Sequence, residues 1–479
     1  MRHAQFTVLA LLGLLTSLIF TTVTTSCISD EMTTSSHDVL SFSRDTVNFD
    51  TVFTDLGTPT ARLVVRNRAK KGLNISSIRF KNPNSNFSMN VDGMSGRDFK
   101  DVEIRGKDSI FMFIECYIPE TQGNAAGLVE DAIEFVTNGV TQTVRLEAYG
   151  QNVTRLRNVR VKSDMTLTAD RPYVVFDSLT VEPSATLTIQ PGAQVLFHDG
   201  ASLVVEGKLL ATGSPGKMIA LRGDRLDNVL PNVEYDIMAG QWKGVRIAPG
   251  SFDNRLDFVD MRSTVHGLLV DSCADLSRQK LTITNSWLHN SQGSVLQSKY
   301  AKVDAYGVCF SEAADAVVSL TGGSHEFLQC TIANNYLFSA IRNPLVSLYH
   351  VLEKDRQPGN AQPLMKASFA NSIIYGLTDD LNIGDFADSD VYFRYVSLKS
   401  GGKDDEHFLN CLWETDPMFY TVRSDYYFNY RLQQDSPCKA AADRALVTPA
   451  VQYDMDGTDR LSGEGPSLGA YQYVAAPQD

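Results

Sequence analysis

Hydrophobic and polar residues trade places one by one through "SIFMFIECYI" (Ser109–Ile118), "AIEFVTNG" (Ala132–Gly139) and "TQTVRLEAYG" (Thr141–Gly150). A period of two bounded by Asn-Gly or Pro predicts half-buried antiparallel strands, because successive strand side chains point to opposite faces. About seven such strands fit between Val39 and Asn152, the size of a two-sheet sandwich.

From about Asn158 the rhythm changes. "SLTVEPSATLTIQPGAQVLFHDGASLVVEGKLLATGSPGKMIAL" (Ser178–Leu221) is a string of short apolar strands separated by single turns, with no helical period. Further on, four segments align on a small-x-hydrophobic core: Asn285–Leu288, Gly307–Phe310, Gln329–Ile332 and Asn371–Ile374. Their last residues lie 22, 22 and 42 apart, the last gap being close to two periods; Met261 and Leu398 extend the series on either side. A period near 22 with three short strands per turn predicts a parallel β-helix over residues 153–420. No single coil can bury its own apolar face, so coils stack and share one interior, with equivalent positions about 4.8 Å apart. Ser286, Val308, Cys330 and Ser372 form an inward column of small residues. Asn285, Gln329 and Asn371 fall in a turn column where amides can hydrogen-bond along the stack. Cys309 occupies the opposite face from Cys330, so the two are not bridged.

The N-terminal "FTVLALLGLLTSLIF" (Phe6–Phe20) is apolar but too short to cross a hydrocarbon layer, which takes about 20 residues. It predicts a signal peptide over residues 1–26. "TTSC" (Thr24–Cys27) resembles the lipobox of bacterial lipoproteins, and "SDE" (Ser29–Glu31) resembles the acidic export tag of Gram-negative Bacteroidetes lipoproteins. The resemblance implies a lipidated Cys27, a tether over 27–38, and an outer-membrane protein facing the cell exterior and held to the membrane by its lipid. Plain secretion, with Cys27 incidental, is the alternative.

"DLGTPTARLVVRNRAKKGLNISSIRF" (Asp55–Phe80) resembles the opening of Ig-like domains of bacterial surface lipoproteins, which implies an Ig-like β-sandwich over 39–152. "QPGAQVLF", "VVEGKLLATGSPGKMIAL" and "GQWKGVRIAPGS" (Gly240–Ser251) look like the right-handed parallel β-helix lipoproteins of Bacteroidetes. "NCLWETDPMF" (Asn410–Phe419), "YRLQQDSPC" (Tyr430–Cys438) and "DMDGTDRLSGEGPSLGAYQY" (Asp454–Tyr473) resemble their choice-of-anchor Q-like C-terminal region. "CKAAADRA" (Cys438–Ala445) departs from the turn usual there. The implied architecture is all-β: sandwich, then right-handed solenoid, then a C-terminal capping region over 421–479.

Composition narrows the function classes. The formal charge of −13 without a basic cluster argues against nucleic acid as a partner. Six cysteines beyond Cys27 show no metal-ligand spacing, so no metal and no cofactor is expected. Hydrolysis of a glycosidic bond needs two converging carboxylates. One outward column of the repeat reads Asp260, Trp287, Cys309, Thr331, Ile373, and a second reads Asp257, Thr284, Tyr306, Leu328, Ala370. Each holds a single acid, both on the same early rung. Asp257, Asp260, Arg262 and His266 form the one cluster that suits a lyase or hydrolase. "TDDLNIGD", with Asp379, Asp380 and Asp385, reads as a solvated loop. "DMDGTD" (Asp454–Asp459) lacks the spacing of a calcium loop and reads as a turn in which Asp454 or Asp456 pairs with Arg460. Trp242, Trp287 and Tyr306 are candidate platforms for sugar rings, unless inserted loops or the sandwich cover them. The expectation is non-catalytic binding of glycan or another surface ligand. A polysaccharide lyase or glycoside hydrolase, or a structural envelope spacer, are the alternatives.

Overall fold

The computed structural model describes residues 31–123, 127–230, 233–350, 362–383 and 389–475. The predicted signal segment, Cys27 and Asp385 lie outside the described residues. The chain divides between Gln151 and Asn152 into two compact units.

The first unit is two sheets over one core. One sheet runs Leu40–Phe42, Ala61–Asn67, Ser109–Cys116, Phe87–Val91 and Met94–Gly96, antiparallel throughout. The other orders Thr46–Phe53, Val140–Gln151, Gly127–Thr137 and Leu73–Phe80, with Asp98–Phe99 and Val102–Ile104 both on Leu73–Phe80. In Ser109–Cys116, Ile110, Met112, Ile114 and Cys116 are buried and the residues between them are not, which is the alternation read from sequence. They meet Val47, Ile78, Phe135 and Leu146 in the core. The hairpin between the two longest strands turns at Asn138 (φ 50°) and Gly139 (φ 78°), where left-handed backbone suits Asn-Gly and matches strand twist. Residues 31–38, expected as tether, are fastened to this unit. Met32 bridges Gly72, the Thr33 amide donates to Gly72 O at 2.9 Å, and Asn138 Nδ2 donates to Ser35 O at 2.9 Å.

The second unit is a coil of short parallel strands, linked among the described residues into one 25-stranded sheet. Every third strand pairs in parallel. Gly244–Ile247 pairs with Leu268–Val270, that with Leu296–Lys299, that with Val318–Thr321, and that with Val346–Tyr349. Two further faces repeat the same step. Met261, Leu288, Phe310, Ile332, Ile374 and Leu398 stand in one unbroken ladder, all buried. Their spacing in sequence is therefore the winding of the chain. The 42-residue gap, however, is one coil and not two: Ile332 pairs directly with Ile374. That coil is enlarged at two corners, after Asn334 and again between Tyr349 and Leu364.

Asn285, Gly307, Gln329 and Asn371 do share a corner, each with φ between 45° and 66°. Asn and Gly suit this left-handed backbone at three of the four positions, and Gln329 adopts it as well. The amides do not bond along the stack as expected. Asn371 exchanges hydrogen bonds with the Asp443 backbone (2.8 and 2.9 Å), and Gln329 Oε1 accepts from Arg460 Nη1 at 3.2 Å. Both partners belong to the C-terminal segment, which lies along the flank of the coil. Tyr430, Met455, Ala470 and Tyr471 pack on Cys309, Ala333 and Trp287, while Leu446, Val447 and Val451 pack on Tyr306, Leu328 and Ala370. Cys309 thus faces this strap and Cys330 the interior.

The expectation that 421–479 closes the end of the coil is corrected accordingly. The end is closed by an aromatic stack instead: Phe327, Phe369, Phe393 and Phe408 follow at 4.8, 5.0 and 4.8 Å between centroids. Trp413 sits on Phe408 at 5.0 Å and finishes the series.

Candidate functional site: a corner groove and a carboxylate pair

The four residues predicted as a catalytic cluster do not converge. Asp260 ion-pairs with Arg262, and His289 Nε2 lies 3.1 Å from its other oxygen. Burial works against the Asp260 charge, but Arg262 and His289 outweigh it and hold the carboxyl below its ordinary range. Arg262 also reaches Asp236 at 2.9 Å, and Arg222 reaches the same carboxylate at 3.2 Å. Asp257 stands beyond the corner at Phe258 (φ 49°), paired with Arg255 at 3.1 Å and accepting from Thr284 Oγ1. The His266 side chain is exposed.

The aromatic platforms are corrected too. Trp242 is 0% exposed, stacked on Phe197 at 3.9 Å in the core, with its indole N–H on Arg262 O. No sugar can reach its face. Trp287 is half-buried, stacked on His289 at 4.1 Å and bonded through Nε1 to Ser311 Oγ. Tyr306 lies under Leu446 and Val447. The C-terminal strap, rather than an inserted loop, covers this flank.

The buried charges have a different job. Asp236 sits on the short turn Tyr235–Ile237, whose backbone is fastened at three further points. Ser263 Oγ donates to Asp236 O, Asn290 Nδ2 donates to Ile237 O, and Gln241 Nε2 donates to Tyr235 O. Together with Arg222 and Arg262 these bonds fix the turn in place, and the next residues, Met238 and Ala239, form one wall of a groove of about 570 Å³. Its floor comes from the same corner of three successive coils: Val265 and His266, Gln292 and Gly293, then Ala314. The amides of Gln292, Gly293 and Ala314 each donate to the coil before, at 2.8 to 3.0 Å, so the floor is rigid. The opposite wall is the first enlargement of the long coil, with Tyr336, Phe338, Ser339 and Arg342. Phe338 is half-buried and stacks with Tyr426 of the strap at 6.4 Å. Arg342 Nη2 donates to Gln292 O at 2.9 Å, which ties the wall to the floor.

A second constellation lies on another face. Asp304 and Glu326 are register partners on adjacent strands, both half-buried. Glu326 pairs with Lys366 at 2.7 Å, and Tyr306 Oη is 3.5 Å from its other oxygen. Burial, then the charge of Glu326, pushes the Asp304 carboxyl up to about 6. Burial likewise raises the Tyr306 phenol, reinforced by both carboxylates.

Neither the groove wall nor this pair was found by reading the sequence. The pair was within reach: Thr282, Asp304, Glu326 and Ser368 form the outward column two residues before the one read at Thr284, Tyr306, Leu328 and Ala370. The wall was not, since its residues lie in insertions without period.

The two acidic motifs are structural. Asp454 Oδ1 accepts from the amides of Asp456 and Thr458, and Oδ2 from that of Gln472. Asp456 pairs with Arg431 at 2.7 Å, whereas fully buried Arg460 bonds Gln329 and the carbonyls of Gly469 and Ala470. The expected pairing of either acid with Arg460 is thus corrected. Asp380 is also no solvated loop residue; it is buried and accepts from the Ser400 amide at 2.9 Å. Among the described residues no group of three or more His, Cys, Asp or Glu is placed to hold a metal ion.

Fold and site together define an all-β protein whose parallel coil carries a walled corner groove and an outward carboxylate pair. No family model and no curated protein matches the chain. Among solved structures it is similar to a family 123 glycoside hydrolase from Clostridium perfringens (13% identity, 24% of this chain and 26% of that one, TM-score 0.18). It is similar too to a protein of unknown function from Porphyromonas gingivalis W83 (11% identity, 26% and 60%, TM-score 0.19) and to the periplasmic chaperone SfaE (10% identity, 24% and 58%, TM-score 0.16). The chain thus spans less than two thirds of each of these structures, and likenesses this slight carry no argument about function.

Proposed function

We propose that this chain is a lipid-anchored outer-membrane protein that presents a right-handed β-helix on an Ig-like sandwich and binds glycan in the corner groove without cleaving it. The anchor is supported by "TTSC" and "SDE"; a triacylated Cys27 is expected in mass spectrometry of the mature N terminus, and an unmodified one would remove it. The observation that carries the binding reading is the groove itself. It is a rigid, three-rung floor between two pinned walls, apolar at Val265, Ala314 and Phe338, with side-chain donors at His266, Gln292, Ser339 and Arg342. Ligand sites of this kind combine aromatic and apolar walls with a few placed polar groups. Glycan arrays followed by product analysis test the reading. Binding without new chain ends, lost on Phe338→Ala, is expected; binding unaffected by that change, or no glycan retained, would overturn it.

One observation favours a second reading, cleavage of a glycan at Asp304 and Glu326. A carboxyl pushed up to about 6 beside a second carboxylate is the arrangement in which one acid protonates the leaving oxygen and the other acts as base or nucleophile. New reducing or unsaturated ends that vanish in Asp304→Asn, and persist in Phe338→Ala, would establish it in place of the first.

A further inference from the structure

We infer that the groove takes a carboxylate-bearing glycan strand, a uronate-type chain lying along the coil axis, with its acid groups received by His266 and Arg342. This rests on the reading of the groove as a glycan site and adds the charge and direction of the ligand.

Charge is the first argument. The chain carries a formal −13, yet no Asp or Glu lines the groove among the described residues, while the basic His266 and Arg342 do. Both are exposed, and His266 makes no side-chain hydrogen bond among the described residues. Arg342 spends only Nη2 within the protein, on Gln292 O and at 3.7 Å from Asp315 Oδ2; its Nε and Nη1 donate to no described residue. Asp315 is engaged elsewhere, accepting from the Ala316 amide and from Asn343 Nδ2, so it neutralises Arg342 only in part. Nε and Nη1 lie on different edges of the guanidinium, and each can still give a charge-assisted hydrogen bond to a carboxylate oxygen. The other charged groups near the wall, Asp236, Arg222, Arg262 and Asp260, are consumed by one another below the surface.

Direction is the second. The floor repeats once per coil, at about 4.8 Å, so a chain laid along the axis meets equivalent ground at each step. An acidic peptide could follow the same line, but an extended peptide gains its affinity from an open strand edge. Here the strands flanking the floor, Val259–Thr264, Trp287–Ser291 and Cys309–Ala313, are paired to the coil on either side. The groove offers side-chain donors and an aromatic face, the equipment that recognises hydroxyls, carboxylates and sugar C–H surfaces.

Calorimetric titration of the full chain with a panel of uronate tetrasaccharides, their carboxyl-reduced counterparts and a tetraglutamate peptide tests this. Binding of at least one uronate is expected, with its reduced counterpart about tenfold weaker or more, a loss of the size that one charge-assisted contact contributes. Arg342→Gln and His266→Gln, confirmed folded by their melting curves, should each weaken the uronate by a larger factor than the reduced sugar. High salt should weaken the uronate alone. Equal binding of the reduced sugar overturns the inference about charge and leaves the glycan reading standing. Uronate affinity indifferent to both variants overturns the placement. Binding of the peptide alone, or of no uronate on the panel, overturns the inference outright, and the array experiment then decides whether the glycan reading falls with it.

Discussion

Asp304 and Glu326 face outward one rung apart, so Asp304 ionises in the field of Glu326. With the folded Asp304 carboxyl at about 6 and its ordinary value at 3.8, the unfolded chain loses this proton first. Stability linked to Asp304 is therefore whole below pH 3.8, falls as pH rises through 6, and stays lower above it. Asp304→Asn should melt higher than the parent at pH 7.5, by about 1 kcal/mol equivalent after screening at a half-exposed site. The gap should close as pH falls to 4; a gap that persists there would mean the asparagine acts through packing. The pair is hard to see in the sequence because the small-x-hydrophobic corner sets the register, and the Asp304–Glu326 column lies two residues upstream of the column beside that corner. The sequence does show Asp260 and Arg262 as neighbours, two apart on one strand face. What it could not supply was Asp236, which arrives from an aperiodic loop and turns that pair into a support for the groove wall.

At the scale of elements, stacking and strapping are separate devices. The column Phe327, Phe369, Phe393 and Phe408 repeats near the rung spacing, so each ring covers the next and Trp413 covers the last. Phe369→Ala opens a gap between two rings and should cost about 3–5 kcal/mol, read as a lower denaturant midpoint of the coil. An unchanged midpoint would contradict the stack. Arg460 is one fastening of the strap, buried and bonded to Gln329 on the coil and to the carbonyls of Gly469 and Ala470 within the strap. Arg460→Ala should loosen the strap without unwinding the coil. Cys309, fully buried beneath it, should then react with a thiol reagent faster than inward Cys330. Equal protection of both thiols would show that the strap stays in place without Arg460. The strap's segments were visible in sequence as motifs, but their place was not, because a segment that pairs with no strand leaves no period to align.

For the whole coil, spacing is structure. The positions Met261, Leu288, Phe310, Ile332, Ile374 and Leu398 could be aligned in sequence because a shared interior demands an apolar residue at each winding. The same logic misjudged the long coil, since an insertion of nearly one period imitates a second turn. Part of that extra length, the enlargement after Asn334, supplies the groove wall, so the error in counting and the missed site share a cause. Everything placed on the coil, groove and carboxylate pair alike, depends on adjacent windings being parallel and in the stated register. Leu269 and Gln297 are outward partners in that register, and residues so placed meet the reach of a disulfide. Air oxidation of the double variant Leu269→Cys/Gln297→Cys, followed by peptide mapping, should show the two joined, while Leu269→Cys/Ser298→Cys, shifted by one residue to the inner face, should stay open. Bridging of the shifted pair in place of the aligned one would contradict the winding on which the account stands.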